Sequence, residues 1–118
     1  DYAFSILESV DNPDWTQWSI VYDVTNKTVH FRTKDAPRIK TFSFKDFEFD
    51  CQSPSKVFDM QTEKKGDISG QFIEYSTAIN RKLIGNSFKG TEFLANTPDT
   101  VLDRRAKYPE SIICRGKK

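Results

Sequence analysis

An alternation of apolar and polar residues between positions 14 and 33 is the feature that most constrains the fold. In its first half the even positions Trp18, Ile20, Tyr22 and Val24 are apolar, whereas most odd positions are polar. A period of two places successive side chains on opposite faces of a strand, so one face is predicted to pack against a core. The segment 25–27 then predicts a turn, in which Asn26 can adopt the left-handed conformation.

The alternation resumes after this turn and predicts a return strand. Val29, Phe31 and Thr33 share one face, and the other face carries Thr28, His30 and Arg32. A β-hairpin with strands at about 15–24 and 28–34 follows from this pattern. A second turn at 34–37 leads to a third predicted strand at about 38–44, so the three strands form an antiparallel meander.

Three segments carry a helical period instead. Residues 2–10 place Ala3, Ile6, Leu7 and Val10 on one face, and residues 71–86 form a stripe of Phe72, Tyr75, Ile79 and Leu83. Gly85 or Asn86 is predicted to end the second helix. A third helix is predicted at about 98–107, with Thr97 as cap and Pro98 at the first position. The fold class is therefore α+β.

Residues 45–70 are expected to be irregular chain. They contain turn-forming residues and show no sustained period of either kind. Their apolar side chains are predicted to anchor the segment onto the core: Phe47, Phe49, Val57, Phe58 and Met60.

Composition limits the classes of partner. The chain has 118 residues, one domain or less, with 18 basic and 17 acidic residues. This near-neutral balance provides no field to recruit nucleic acid or an anionic membrane, and no apolar run approaches the roughly 20 residues of a membrane helix. The basic residues Arg115, Lys117 and Lys118 are interpreted as a solvated tail.

Residues 1–10 lack the features of a signal peptide. Because Asp1 begins inside a predicted helix, we expect a processed, truncated or partly observed product.

Cys51 and Cys114 are the only cysteines, and the sequence leaves two alternatives for them. They could form one disulfide in an oxidising compartment, or both could be free buried thiols. Neither lies in a spacing typical of a metal site. We therefore expect neither a metal nor a cofactor.

No set of residues forms a self-sufficient catalytic site. His30 could be approached by Asp23 on the paired strand, but no serine or cysteine nucleophile accompanies them. The bland interpretation, a solvent-facing strand histidine, is preferred. Asp46, Glu48 and Asp50 alternate with phenylalanines and lack the spacing and glycine turn of a calcium loop. The glycine-lysine segments 64–66 and 85–90 do not match a phosphate-binding loop. We assign no catalytic, cofactor-binding or metal-ligating residue.

One resemblance adds to these patterns. The segment Asp14-Trp15-Thr16-Gln17-Trp18-Ser19-Ile20-Val21-Tyr22-Asp23, followed by His30-Phe31-Arg32-Thr33, resembles the C-terminal hairpin of the choloylglycine hydrolase family. These linear-amide hydrolases include bile salt hydrolases and penicillin V acylases. A helix, a loop, two strands and a third strand beginning near an isoleucine follow the family's order over residues 3–44. Residues 45–118 resemble, with weaker motifs, the C-terminal extension of some bacterial members.

The resemblance implies the four-layer αββα sandwich of N-terminal nucleophile hydrolases. The family's nucleophile is a cysteine at the mature N-terminus, with its own α-amino group as base. Here position 1 is aspartate and neither cysteine begins the chain, so no catalytic residue of the family can be transferred to this sequence. Members with such an extension often carry export signals, which suggests an extracytoplasmic location.

The leading hypothesis is a C-terminal fragment of such a hydrolase that contributes sheet scaffold and is inactive alone. It is treated as one partial domain, with helix and meander at 1–50 and an irregular linker with a helical extension at 51–118. Its expected partners are the rest of the parent chain and further copies of itself, because an isolated sheet would lack its partner sheet. The alternatives are a non-enzymatic module that binds through its sheet, and a small hydrolase using Asp23 and His30.

Overall fold

The computed structural model describes residues 2–113 and confirms a mixed α+β fold with a mostly antiparallel sheet and three helices. The elements are α1 (Tyr2–Ser9), β1 (Trp18–Asp23), β2 (Thr28–Thr33), β3 (Lys40–Ser43), β4 (Lys56–Val57), β5 (Gly66–Asp67), β6 (Ile73–Glu74), α2 (Thr77–Lys89) and α3 (Asp99–Lys107). Short 3-10 turns lie between some of them. Cys114, Arg115, Lys117 and Lys118 lie outside the described residues.

The chain divides into two compact units. The first consists of Asp1–Glu48 and Phe58–Phe72, and the second of Phe49–Val57 and Ile73–Lys118. The described part of the chain contains no helix that is both long and apolar enough to span a membrane.

The first unit is built on a four-stranded sheet in the order β1-β2-β3-β5. β1 and β2 pair antiparallel from Trp18 opposite Thr33 to Asp23 opposite Thr28, and β3 continues the predicted meander on β2. β5 adds to β3 in the parallel direction through two residue pairs. The prediction that residues 45–70 are wholly irregular is therefore wrong: the segment contains β4 and β5 as well.

The hairpin turn differs from the predicted one. Asp23 pairs with Thr28, so the turn consists of the four residues 24–27. The Asp23 carboxylate accepts hydrogen bonds from the backbone N–H and the side-chain amide of Asn26, at 2.9 and 2.7 Å. Lys27, and not Asn26, adopts the left-handed conformation, with φ of 57°. Asn26 is held by Asp23, and the left-handed position falls on the next residue.

The central strand confirms the alternation. Val29, Phe31 and Thr33 of β2 are buried, while the residues between them are half-buried. Phe31 packs edge-to-face against Phe42 and Phe58, with ring centroids 6.4 and 6.3 Å apart. Phe47 and Phe72 extend this aromatic cluster, both through contacts with Phe42 and with each other. The predicted anchoring role of Phe47 and Phe58 is confirmed, whereas Phe49 is 74% exposed.

The edge strand departs from the prediction. Trp18 and Tyr22 were expected to pack, yet they are 61% and 64% exposed, and Val24 in the turn is also exposed. Both aromatic residues lie on the same face as Phe31, because Ile20 between them pairs directly with it. Among residues 2–113, strand β1 has a neighbour on one side only, so side chains at its free margin are not covered by the described core of the unit. The strand also begins at Trp18 and not at 15, where the chain still turns.

Helix α1 buries a different stripe from the predicted one. Phe4 is buried at 3% exposure, whereas Ile6 and Val10 are 48% and 75% exposed. Ala3 and Leu7 are half-buried, as predicted. A helix of two turns can rotate to bury its largest ring without breaking the 3.6-residue period, and Phe4 exceeds Ile6 and Val10 in size.

The second unit combines the β4-β6 pair with an α2-α3 helical hairpin. Helix α2 begins at Thr77 and not near 71, because Ser76 caps it by accepting a hydrogen bond from Ile79 N–H at 3.2 Å. It continues past Asn86 to Lys89, so the predicted end is wrong, and Gly85 is instead buried inside the helix. Leu102 and Ala106 form the buried stripe of α3, whose N-cap is Pro98 and not Thr97.

Side-chain hydrogen bonds join the two helices. Tyr75 Oη and Asn80 Nδ2 both donate to the Ala106 carbonyl, at 2.8 and 2.9 Å. Arg81 donates to Asp103 and Asp99, each at 2.6 Å, and these carboxylates raise the pKa of its guanidinium, Asp103 first. The same unit contains Cys51, which is disulfide-bonded, so the alternative of a free thiol at this position is wrong.

Candidate functional site

Six of the fourteen residues that carry the family resemblance line one cleft of the first unit: Thr16, Gln17, Trp18, Ser19, Arg32 and Thr33. The cleft has a volume of about 240 Å³. Its lining comes from the loop after α1, the start of β1 and the end of β2, and consists of Asp11, Pro13, Thr16, Gln17, Trp18, Ser19, Arg32, Thr33, Lys34 and Pro37. The hairpin brings the Thr16-Gln17-Trp18 and Arg32-Thr33 segments together because Trp18 pairs with Thr33.

Arg32 is held in place from two sides. Its guanidinium lies 5.4 Å from the Phe4 ring centroid and forms an ion pair with Glu8 at 2.8 Å. The arginine side chain is 22% exposed, compared with 56% for its partner. Since Glu8 compensates much of its charge, Arg32 is suited to fixing α1 on the sheet more than to attracting an anion.

The polar groups of the loop bind mainly one another. Thr16 Oγ1 accepts a hydrogen bond from Asn12 N–H at 3.2 Å, and the Asn12 carbonyl accepts Thr16 N–H at 2.8 Å. Lys34 Nζ donates to the Pro13 carbonyl at 2.7 Å. These bonds secure the loop on the hairpin, and they account for the threonine and lysine without a ligand.

Thr33 has a comparable structural role at the other wall. It is 5% exposed, donates from Oγ1 to Gln61 Oε1 at 2.7 Å, and accepts Ala36 N–H at 3.0 Å. A buried hydroxyl with both donor and acceptor capacity satisfied is not a free nucleophile. The cleft thus presents an aromatic ring, amide and hydroxyl groups and a compensated cation, but no pair of nucleophile and base.

The Asp23-His30 hypothesis finds no catalytic geometry. His30 is half-buried, not solvent-facing as expected, and its Nδ1 lies 2.9 Å from Thr41 Oγ1. Asp23 bonds to Asn26, and these bonds hold the pKa of its carboxyl below the ordinary value, with a minor contribution from His30. The two side chains share a face of the hairpin but are engaged by different partners.

The acidic segment 46–50 likewise forms no ion site. The Asp50 carboxylate accepts backbone N–H bonds from Gln52 and Ser53, both at 2.7 Å, and these bonds lower the pKa of its carboxyl. Within residues 2–113 no group of three or more acidic, histidine or cysteine side chains could hold a metal ion.

A buried lysine was missed by the sequence reasoning. Lys40 is fully buried, its Nζ donates to the carbonyls of Ala36 and Arg38 at 3.1 and 3.4 Å, and it lies 5.7 Å from the Phe31 ring centroid. Burial lowers the pKa of its ammonium, and Glu63 opposes this shift. The available signal was its even position in β3, which places it on the face of Phe42.

These features define an α+β protein with a cleft whose polar side chains mainly hold the α1-β1 loop on the hairpin. The described residues form no complete catalytic site. No family model, curated protein or solved structure matches the chain.

Proposed function

We propose that this chain is the C-terminal portion of a linear-amide hydrolase resembling choloylglycine hydrolases and penicillin V acylases. In that role the meander contributes strands to one sheet of an αββα sandwich, and α1 covers part of that sheet. The chain supplies scaffold, while the nucleophilic cysteine and its α-amino base come from the N-terminal part of the parent protein.

The observation that carries this proposal is the clustering of the resemblance residues. Thr16-Gln17-Trp18 and Arg32-Thr33 are separated by a full hairpin in sequence, yet they line the same cleft. Their hydrogen bonds hold the α1-β1 loop and the end of β2 in place. A motif that fixes how a helix, a loop and a hairpin fit together is what a scaffold segment requires.

The bonds that already occupy the reactive side chains support the part of the proposal that this chain is inactive on its own. His30 bonds to Thr41, Asp23 to Asn26, and Cys51 is oxidised. General base catalysis needs a base within hydrogen-bond reach of a nucleophile. The cleft lining contains no such pair, and the imidazole of His30 contacts the Thr41 hydroxyl outside the cleft.

The test uses the complete reading frame that encodes this chain. We expect several hundred residues before Asp1, including a cysteine that follows a cleavage site. The full-length protein should hydrolyse a conjugated bile salt or penicillin V, and replacing that cysteine with serine should abolish turnover. The 118-residue chain, as matched control, should release no product above the blank. A reading frame without such a cysteine, or turnover by the short chain, would refute the proposal.

The exposed margin of β1 favours a second candidate, a non-enzymatic module that binds through its sheet. Trp18 and Tyr22 project from an edge strand with no neighbour on its outer side in the described structure. Exposed aromatic residues beside unpaired backbone groups are typical of strand-addition surfaces. A reading frame that lacks the hydrolase portion would favour this candidate over the first.

A further inference from the structure

The hydrogen bonds of the sheet define which backbone groups of β1 point outward at its free margin. Lys34 N–H donates to the Gln17 carbonyl at 2.8 Å, and Phe44 N–H donates to the Lys27 carbonyl at 2.9 Å. In an antiparallel pair the bonded positions alternate, so the first bond shows that the odd residues of β1 face β2. The second bond agrees, because it directs the odd residues of β2 toward β3. The N–H and C=O groups of Trp18, Ile20 and Tyr22 therefore point away from the sheet.

We propose that this margin pairs antiparallel with β1 of a second copy, centred on Ile20, to form a twofold-symmetric dimer with a continuous eight-stranded sheet. With Ile20 opposite its own counterpart, Trp18 lies opposite Tyr22 of the second copy. All three outward-facing residues then meet outward-facing residues, which gives two N–H···O=C bonds at each of three residue pairs. A shift of two residues would leave one of the three without a partner inside the strand.

The side chains agree with this register. Trp18, Ile20 and Tyr22 lie on the face of Phe31, so the dimer places each exposed tryptophan beside an exposed tyrosine. Cross-strand aromatic pairs of this kind stabilise antiparallel sheets. The apolar band that begins at Phe31 and Ile20 would continue across the axis, which covers the two rings that the monomer leaves exposed.

Charge favours a second copy as the occupant. The segment 18–22 contains no charged residue and no proline, the usual protections of an edge strand, and the regular pairing of β1 shows no bulge. The formal net charge of +1 gives little repulsion between copies. At each end the register places Asp23 on the same face as Lys34 of the other copy, two strand spacings or about 10 Å away. Opposite charges at this separation attract, and no like charges face each other along the strand.

The inference does not depend on the proposed hydrolase origin, and sedimentation equilibrium of the 118-residue chain tests it. We expect a concentration-dependent species of twice the 13.7 kDa mass. Tyr22→Pro removes an outward N–H but none of the bonds to β2, so it should abolish the dimer with an unchanged far-UV circular dichroism spectrum. Ile20→Lys should do the same, because it places two like charges opposite each other on the axis. Phe93→Lys removes an aromatic residue that is 86% exposed elsewhere, and as matched control it should remain dimeric.

Cysteine cross-linking tests the register even if one of these variants fails to fold. Directly opposed bonded residues have Cα atoms about 5.5 Å apart, within the range of a disulfide. Ile20→Cys should therefore form an intermolecular disulfide on mild oxidation, whereas Ser19→Cys should not, because it faces Val21. A wild-type chain that is monomeric at all concentrations would overturn the proposal and assign the margin to another occupant. A dimer that persists in Tyr22→Pro and Ile20→Lys, or cross-links at Ser19 but not at Ile20, would also overturn it.

Discussion

Lys27 shows, at the scale of one residue, how the hairpin tolerates an unfavourable backbone conformation. Its φ of 57° lies in the left-handed region, which costs a residue with a β-carbon roughly 1 kcal/mol. The Asp23-Asn26 bonds on one side and the Phe44 bond to its carbonyl on the other keep it there.

Lys27→Gly should stabilise the protein by up to about 1 kcal/mol, because glycine adopts this conformation freely while adding some entropy to the unfolded chain. The free energy of unfolding from urea titration measures the change. Lys27→Ala is the matched control and should differ little from wild type. A β-branched valine should be worse than alanine, and a glycine variant less stable than the alanine variant would contradict this explanation.

Lys40 makes stability depend on pH in the alkaline range. Burial lowers its pKa from the ordinary value of 10.5, so between the folded and unfolded pKa values the unfolded chain binds a proton that the folded chain does not. The free energy of unfolding contributed by Lys40 therefore rises as pH increases through this window.

Lys40→Met removes this titration and keeps a side chain of similar length. The difference in unfolding free energy between wild type and Lys40→Met should shift in favour of wild type from neutral pH to about pH 10, as urea titrations at each pH would show. Lys65→Met, at an exposed lysine, is the control and should show no such trend. A constant difference for Lys40→Met would mean that its ammonium is not desolvated.

At the scale of single elements, the sequence predicted burial correctly where the residues of one strand determine which of its faces is buried. Strand β2 lies between two neighbours, so the alternation of Val29, Phe31 and Thr33 is reproduced in their burial. Trp18 and Tyr22 have the same alternation but are exposed, because cover at an edge depends on a neighbour that the local sequence does not specify. The pairing of β5 with β3 involves two residue pairs, too few to produce a period.

The start of α2 and the cleft illustrate the same limit. Phe72 fits the helical stripe by spacing, yet it belongs to the aromatic cluster of the first unit, and the cap at Ser76 decides where the helix begins. The sequence singled out Thr16-Gln17-Trp18 and Arg32-Thr33 by resemblance alone. It predicted neither that they line a cleft nor the Glu8-Arg32 ion pair, which joins residues 24 positions apart. The even position of Lys40 in β3 indicated its face but not its full burial, which depends on the carbonyls of Ala36 and Arg38.

Gly85 inside α2 offers a test at this scale. A β-carbon there would lie 3.0 Å from Arg81 Nη1, whereas the bonds to Asp103 and Asp99 use the other two guanidinium nitrogens. Alanine gains about 0.8–1.0 kcal/mol of helix propensity over glycine, and a flexible side-chain end can move by a few tenths of an ångström. Gly85→Ala should therefore raise stability by somewhat less than 1 kcal/mol in thermal unfolding.

Gly90→Ala provides the comparison, because that residue lies just beyond α2 and should gain less. If Gly85→Ala is destabilising, Asp99 and Asp103 hold the Arg81 side chain too rigidly for it to move away from the new β-carbon.

At the scale of the whole molecule, the aromatic cluster gathers distant parts of the chain. Phe42 packs edge-to-face on Phe31, Phe44, Phe47 and Phe72, with centroid separations from 5.2 to 6.4 Å. Phe58 joins through Phe31 and Phe72. The cluster therefore stabilises the first unit across a long excursion of the chain.

Phe42→Ala should cost about 3 kcal/mol, because it removes a half-buried ring and several edge-to-face contacts. Phe93→Ala, at a ring that is 86% exposed, should change stability by less than about 0.5 kcal/mol. Urea denaturation of both variants makes the comparison. Equal losses would show that the cluster contributes no more than surface rings.

The division into two units has a consequence for how this chain can be cut. Residues 49–57 belong to the second unit but interrupt the first, so the backbone passes from one unit to the other three times. No single break can separate the two units, because a piece that contains all of one unit also keeps part of the other. A piece ending at residue 72 would keep β4 but lose β6, its hydrogen-bonded partner. A piece beginning at residue 73 would lack Cys51 and its disulfide. Genetic exchange at one point between residues 48 and 73 would thus divide at least one of the two units between its products.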